Sequence, residues 1–574
     1  MKLPKNTSRH FVPNDFAPDH AESVQALYAQ LSSSVIADTD VAGLRQWILN
    51  WSEFDSVLRE ESARRYIAMT CDTRDEKAAQ AFEHFTTEIE PISQAESDRL
   101  KRKLLAHPAR IQLEKEFSVW FRDLAVALEL FRTENIPLET SIALEVQAYQ
   151  KITGSMSVFF QGQERTLPQM APFQQSPDRG LREEAWRIVA ARRLQDSANL
   201  DNAFDKLFAL RLQVADNAGF PSNFLPYIFK AKGRFDYSPA DCRAFHHSIR
   251  TLVVPRVRKI MERRAQKMNL LKLRPWDLDC DPLGRAPLKP FQTGSELLEK
   301  TSLIFSQLHP RCGEWFQTMR DLDLIDSDSR MGKAPGGYQI SLDESRVPFI
   351  FTNASGTNGD VYTMLHEAGH SFHQFAMAGQ PISAFRDTPA EFAEVASMCM
   401  ELIGSSDLSP FYSPADAARS RLEQFEDVIL LLPWVAMVDS FQHELYVRPQ
   451  HNAQERSDIW MQLLHDFDNG IDWTGLEAEQ RYSWQRQLHL FEVPFYYVEY
   501  GIAQLGALQL WANFRKDPAL ALQKLFEALA LGSSRPLPEL FQTAGIRFDF
   551  TEQTLEPLML MVEEELNRLE NLAS

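Results

Sequence analysis

The chain has 574 residues, 44% hydrophobic and 24% charged, so it can bury a large core and is long enough for more than one structural unit. Its formal net charge of −19 argues against nucleic acid or an anionic membrane as a partner. Five scattered cysteines, Cys71, Cys242, Cys280, Cys312 and Cys399, form no CxxC pair and fit reduced thiols better than a disulfide framework. The start, MKLPKNTSRHFVPNDF, lacks the apolar run of a signal peptide, so a cytoplasmic location is expected.

The first part of the chain reads as successive helices. Residues 20–33, 40–69, 74–105 and 111–133 alternate apolar and charged side chains at helical spacing, with no ligand constellation among them. A helical lobe walling one side of a cleft accounts for this better than a coiled-coil arm, because the spacing holds no clean heptad. At 155–168 the period breaks: Val158, Phe159 and Phe160 run into Gln161-Gly162 and a polar return, which predicts a small hairpin. We place this hairpin with the first lobe, residues 1–180, and a second unit over 181–574. Asp178 is placed to cap the next helix, and the helical pattern continues through 202–217 and 239–268.

Between 320 and 356 the texture changes. GKAPGGYQISL and VPFIFTNAS predict two short strands of a small sheet. An edge strand beside an active centre can hydrogen-bond an extended peptide of any sequence, since it offers only backbone groups. Gly336 and Gly337, followed by Tyr338, would let a substrate approach closely. An ordinary turn before a strand explains the glycines equally well.

Residues 361–375, VYTMLHEAGHSFHQF, contain His366, Glu367 and His370 as HExxH. Residues four apart share a helix face, so the two imidazoles can point at one ion with Glu367 beside them, the geometry of a catalytic zinc site. Val361, Met364, Leu365, Ala368, Phe372 and Phe375 surround the pair with apolar positions. Gly369, in mid-helix, marks a close approach by another element. The extended motif with a third His would need Gly at 373 and His at 376; the chain has His373 and Ala376. That leaves a carboxylate from a second helix. PAEFAEVASMCMEL comes next, opened by Pro389, with Glu391, Glu394 and Glu401 on one stripe of a largely apolar helix. Three carboxylates there are costly unless something cationic compensates them, and the spacing alone does not choose among them.

The longest apolar run, residues 428–438, is too short to span a bilayer and contains Pro433, so it reads as a buried helix. Downstream, HLFEVPFYYVEY offers His489, Tyr496, Tyr497 and Tyr500 as hydrogen-bond donors for an oxyanion. If a helix starts at Pro494, Tyr497 and Tyr500 share a face, as do Tyr496 and Tyr500.

HEAGHSFH and EFAEVASMCME together resemble the thimet oligopeptidase and oligoendopeptidase F family of zinc metallopeptidases. The resemblance extends from residue 140 to the end and favours the oligoendopeptidase F branch. It rests also on EVQAYQKITGSMSVFFQGQERTL, RFDYSPADCRAF, LRPWDLDCDP, GKAPGGYQI, SFQHELYVRP and LHLFEVPFYYVEYGIAQLGALQLW. It implies one zinc per chain held by His366, His370 and Glu394, with Glu367 as general base, and His489, Tyr497 and Tyr500 lining the site, Tyr496 being the rival to Tyr497. Glu391 and Glu401 are then candidates to orient a ligand imidazole. The implied protein is mainly α, a two-lobed helical metallopeptidase with a deep central cleft, a small sheet beside the zinc helix, and short oligopeptides as endopeptidase substrates. Its alternatives are a metallocarboxypeptidase of related fold and an inactive peptide-binding protein. Oligomeric state is left open.

Overall fold

The computed structural model describes Met1 and residues 9–573. Helix accounts for 69% of the structure, with one two-stranded and one three-stranded sheet. The first helices are Ala21–Ser33, Val41–Cys71, Glu76–His84, Glu90–Ala106 and Arg110–Leu130, the third and fourth joined by a π-helical turn at Phe85–Ile89. Their apolar faces form a cluster that includes Trp47, Phe54 and Phe117 and also takes Ile382 and Phe385 from a distant loop. Arg386 in that loop ties the lobe down, bonding Asp343 at 2.7 Å and Ser56 Oγ at 2.6 Å.

The hairpin forms as β1 (Ser157–Phe160) and β2 (Gln163–Thr166), paired antiparallel through Gln161 and Gly162, both at positive φ. Its apolar side packs with Ala185 and Val189 of helix Arg179–Gln195. The preceding helix, Ile136–Gly154, sends Tyr149 into the main core. The packing thus joins 136–166 to the helices after residue 178, whereas the expected division at 180 put them with the first lobe.

β3 (Ile325–Asp328), β4 (Tyr338–Leu342) and β5 (Val347–Ala354) make the second sheet in the order β3-β5-β4. β5 is buried along nearly its whole length, as a central strand covered on both faces must be. β3 pairs with it in parallel and was not legible in LIDSD, whose acids mask the strand. β4 pairs antiparallel with β5 and, among the described residues, has no strand on its other edge; helix Val41–Cys71 packs against it.

The HExxH motif lies in helix Asn358–Met377, started by a capping box in which Thr357 Oγ1 accepts from the Asp360 N–H and Asp360 accepts from the Thr357 N–H. The carboxylate helix, Ala390–Gly404, has Pro389 at its N-cap and packs against the motif helix on one side and against helix Val498–Lys516 on the other. Helix Pro414–Val447 continues through Pro433. It is long and apolar enough to cross a membrane by composition, but 72% of its apolar window is buried inside the protein, packed on Val498–Lys516 and Glu552–Ala573.

The motif and carboxylate helices meet at Gly369. A Cβ there would lie 2.5 Å from Ser397 Cα and 2.7 Å from the Ala396 carbonyl oxygen, both backbone atoms that cannot step aside. Gly369→Ala should therefore force the helices apart and cost about 1–3 kcal/mol, the usual penalty of overpacking. Urea unfolding of parent and variant measures this, and an unchanged midpoint would show that the crossing yields without strain.

Candidate active site

Helical periodicity puts His366 and His370 one turn apart, ring centroids 4.9 Å from each other. Glu394 comes across from the second helix: its Oε2 lies 3.4 Å from His366 Nε2 and 3.8 Å from His370 Nε2. Ligand atoms of the three residues all lie within 4.8 Å of one another. Ser397 Oγ donates to the same Glu394 oxygen at 3.0 Å. Glu401, two turns further on, meets His366 Nδ1 at 2.7 Å and accepts from Gln424. Glu391 goes elsewhere. It accepts from Tyr237 Oη at 2.7 Å and lies 3.9 Å from Arg234 Nε, so of the two orienting candidates only Glu401 touches a ligand imidazole.

Burial disfavours charge on His366, but hydrogen bonds to Glu394 and Glu401 outweigh it and lift the imidazole to about 10. Burial pushes His370 down to about 4 despite the attraction of Glu394. Glu394 is buried too, yet the hydrogen bond from His366 and the nearby His370 hold it below the usual carboxylate range. Glu367 has no such partner: burial raises it to about 7, against the pull of His366. Two imidazoles and a carboxylate, with the Nδ1 of one imidazole anchored on a second carboxylate, form a donor set that fits zinc.

The expected helix start at Pro494 does not occur. A short helix, Leu488–Glu492, is followed by Phe495 at φ 61°, and helix begins only at Val498. That left-handed residue is held from three sides. Its side chain is fully buried, its N–H donates to Gln442 Oε1 at 2.7 Å, and its carbonyl accepts from Arg234. Arg234 also bonds Glu499 Oε1 at 2.7 Å. The turn separates the tyrosines. Burial and then the charge of Glu394 push the Tyr496 hydroxyl up, and the same two causes raise Tyr500 to about 12. Tyr497 is raised by burial, against hydrogen bonds from Trp434 and Gln487. Tyr496 and Tyr500 thus owe part of their shift to the charge of Glu394 and Tyr497 does not; the resemblance had carried the role to Tyr497, with Tyr496 as its rival. His489 sits among all three rings, 4.8 Å from Tyr497 and 6.0 Å from Tyr500, and its Nδ1 is 2.7 Å from Gln487 Nε2.

A cavity of ≈ 620 Å³ separates the first lobe from this wall, with Trp51, Arg59 and Trp120 on one side and Glu391 and Tyr496 on the other; it does not reach Glu367 itself. A second, of ≈ 550 Å³, takes in Ile340 and Ser341 of β4. Asp55, Arg59 and Asp387 border both. Of the predicted substrate contacts, Gly336 is at φ 95° with open space where a side chain would be, and Gly337 lies against the Phe351 carbonyl. Tyr338 is already occupied: its hydroxyl is 2.6 Å from Thr70 Oγ1 and its ring stacks on Phe351.

The sequence profile of peptidase family M3 matches residues 173–560, and that of the peptidase M3 N-terminal domain matches residues 13–131. The chain belongs to peptidase family M3. Its similarities place it in the oligoendopeptidase F branch of that family, and it is a peptidase. The oligoendopeptidase F homolog of Lactococcus lactis subsp. lactis (strain IL1403) is 23% identical over 83% of this chain and 76% of its own length. The chromosomal oligoendopeptidase F of Lactococcus lactis subsp. cremoris is 24% identical over 56% of this chain, the match spanning 52% of that protein. Pz peptidase A, solved with an inhibitor, superposes with a TM-score of 0.86 at 27% identity, covering 98% of this chain and 100% of that one.

Arg234 and Tyr237, which fix Glu391, Glu499 and the Phe495 turn, were missed as site residues although both lie in RFDYSPADCRAF, a stretch that carried the resemblance. The opposite fates of the two acids give a direct test. Glu401→Gln should weaken metal binding about 10- to 100-fold, as loss of an imidazole's outer partner does, while Glu391→Gln leaves it near the parent value. Chelator competition on both variants measures this, and equal losses would mean that Glu401 does not orient His366.

Proposed function

We propose that this M3 peptidase is a zinc-dependent endopeptidase of oligopeptides, with His366, His370 and Glu394 as the metal ligands. The observation that carries the reading is the convergence of those three ligand atoms within 4.8 Å, beside a carboxyl that burial has lifted to about 7. Zinc, when bound, supplies Lewis acidity that polarises the scissile carbonyl and activates a water. Glu367 takes the proton of the attacking water on its carboxylate and hands it to the leaving amine nitrogen; a carboxyl near 7 is matched to both transfers. Tyr500, Tyr496 and His489 donate to the oxygen on which negative charge develops. Glu401 keeps His366 in the tautomer whose Nε2 faces Glu394.

β4 as an edge strand, with Ile340 and Ser341 in the lining of the second cavity, supports an extended peptide as the substrate. A carboxypeptidase would need a free cation for the terminal carboxylate. Arg59, which lines both cavities, is committed to Asp55 at 2.7 Å and Asp387 at 2.8 Å, and Lys232, beside Tyr496, to Glu499 at 3.2 Å. Lys101, in the lining of the first cavity, has no such partner among the described residues, so the preference for cleavage within the peptide rests on the likeness to oligoendopeptidases and not on the cavity's cations. The lobe that walls the cavities also favours short chains over folded or long ones.

Glu367→Gln keeps the side-chain volume but cannot accept the proton. Its metal content should match the parent while turnover falls at least about 10²- to 10⁴-fold. Turnover within tenfold of the parent would remove HEAGH from the catalytic centre. Among the tyrosines, Tyr500→Phe and Tyr496→Phe should each lower kcat, by about 10²- to 10³-fold for a direct oxyanion donor, and Tyr497→Phe by much less. A larger loss at 497 than at 496 would reverse the assignment. Internally quenched peptides of about ten residues should be cut, in a chelator-sensitive way, much faster than denatured casein, because the walled cavity suits a small ligand. Comparable rates on both would show an open cleft.

A further inference from the structure

A second set of metal-ligating side chains lies away from HExxH. Helix Pro239–Ser248 carries Cys242 and His246 one turn apart, and helix Pro414–Val447 carries Asp439 and His443 at the same spacing. Neither pair stands out in the sequence. Ligand atoms of Cys242, Asp439 and His443 all lie within 4.8 Å of one another. All three residues are buried, at 1%, 0% and 5% exposure.

This cluster is also unfinished. Asp439 Oδ2 is bound to His246 Nε2 at 2.7 Å, but Asp439 Oδ1 and both ring nitrogens of His443 are buried with no hydrogen-bond partner. His443 Nε2 has Asp439 Oδ2 as its neighbour, at 3.3 Å in an ion-pair contact. Buried polar atoms are paired in nearly all native structures, so the two left over in this cluster, Asp439 Oδ1 and His443 Nδ1, call for an occupant.

We propose that Cys242, Asp439 and His443 bind a second, structural metal ion of the zinc type, clamping helix Pro239–Ser248 to helix Pro414–Val447. The donor chemistry selects the ion: a thiolate with an imidazole and a carboxylate suits zinc and excludes calcium and magnesium, which take oxygen. Cys242 binds as thiolate and its proton leaves to solvent. His246 orients Asp439, and its Nε2 is the donor at hand for a fourth, tetrahedral position if it exchanges its bond to Asp439 for the ion. A Cys-His-Asp nucleophile is the other chemistry these residue types suggest, but a cluster this buried gives a substrate no access. Edge-on contact of His443 with Phe495, ring centroids 5.4 Å apart, would carry the clamp to the turn that precedes Tyr496.

The test uses the full chain with the HExxH ligands removed, His366→Ala/His370→Ala, loaded with zinc and counted by mass spectrometry. About one zinc per chain should remain there, about two in the parent, and none once Cys242→Ser is added. No zinc in the double variant, or zinc undiminished by Cys242→Ser, overturns the proposal. Cobalt loading guards against misfolding of the serine variant, because it is read with Cys242 in place. A thiolate-to-cobalt charge-transfer band is expected in the parent, where the HExxH set has no sulfur, and its absence overturns the proposal equally.

Discussion

Everything at the centre depends on how closely two helix backbones approach at Gly369. With Ser397 Cα only 2.5 Å from where a Cβ would stand, the motif helix and the carboxylate helix are in backbone contact rather than separated by side chains. A glutamate is a short reach from its backbone. Only at this separation does Glu394 come within 3.4 and 3.8 Å of both imidazoles while Glu401, seven residues on, still meets His366 from behind. At the outer face the approach is to a side chain instead, where Gly506 of helix Val498–Lys516 makes room for the Val395 methyls of the carboxylate helix. Of the tyrosines, Tyr500 is carried on the first turn of this third helix, while Tyr496 and Tyr497 lie in the turn before it.

The three acids on the carboxylate helix show how an apolar element tolerates charge. Glu394 is compensated by imidazoles, Glu401 by His366 and Gln424, and Glu391 by Tyr237 and Arg234. Glu367 is the exception, buried without a hydrogen-bonding cation, and it is the one whose carboxyl rises to about 7. Fold stability would be served by pairing it. An acid-base group that must both take and give a proton is served by leaving it alone.

What was legible in the sequence was what a single helix or hairpin decides. The HExxH face, the glutamate stripe, the Gln161-Gly162 turn and the meaning of Gly369 all derive from periods of 3.6 and 2 or from a residue's own conformational limits. The family resemblance chose Glu394 from that stripe. What stayed hidden needed a second element. Glu391 and Glu401 lie about 60° and about 20° from Glu394 on a helical wheel, both within its stripe, and the direction in which the motif helix crosses sends Glu401 to His366 and leaves Glu391 to Arg234. A helix starting at Pro494 would have let either Tyr496 or Tyr497 share a face with Tyr500, and only the resemblance preferred Tyr497. The chain instead turns left-handed at Phe495, a residue type with no preference for that region, so nothing local announces it.

That turn is where distant parts of the chain meet. A buried phenylalanine at φ 61° is costly and persists only if its surroundings over-determine it. Gln442 takes its N–H, Arg234 donates to its carbonyl, and Tyr446 and His443 pack on its ring. Arg234 belongs to the segment that also holds Tyr237 and Cys242, and Gln442, His443 and Tyr446 belong to one stretch of helix Pro414–Val447. Two elements that contribute no metal ligand to the HExxH centre therefore set the conformation of the turn that leads into Tyr496 and Tyr497. Residues in RFDYSPADCRAF and SFQHELYVRP touch that centre through this one strained residue, which gives those stretches a physical reason to accompany a motif far from them in sequence.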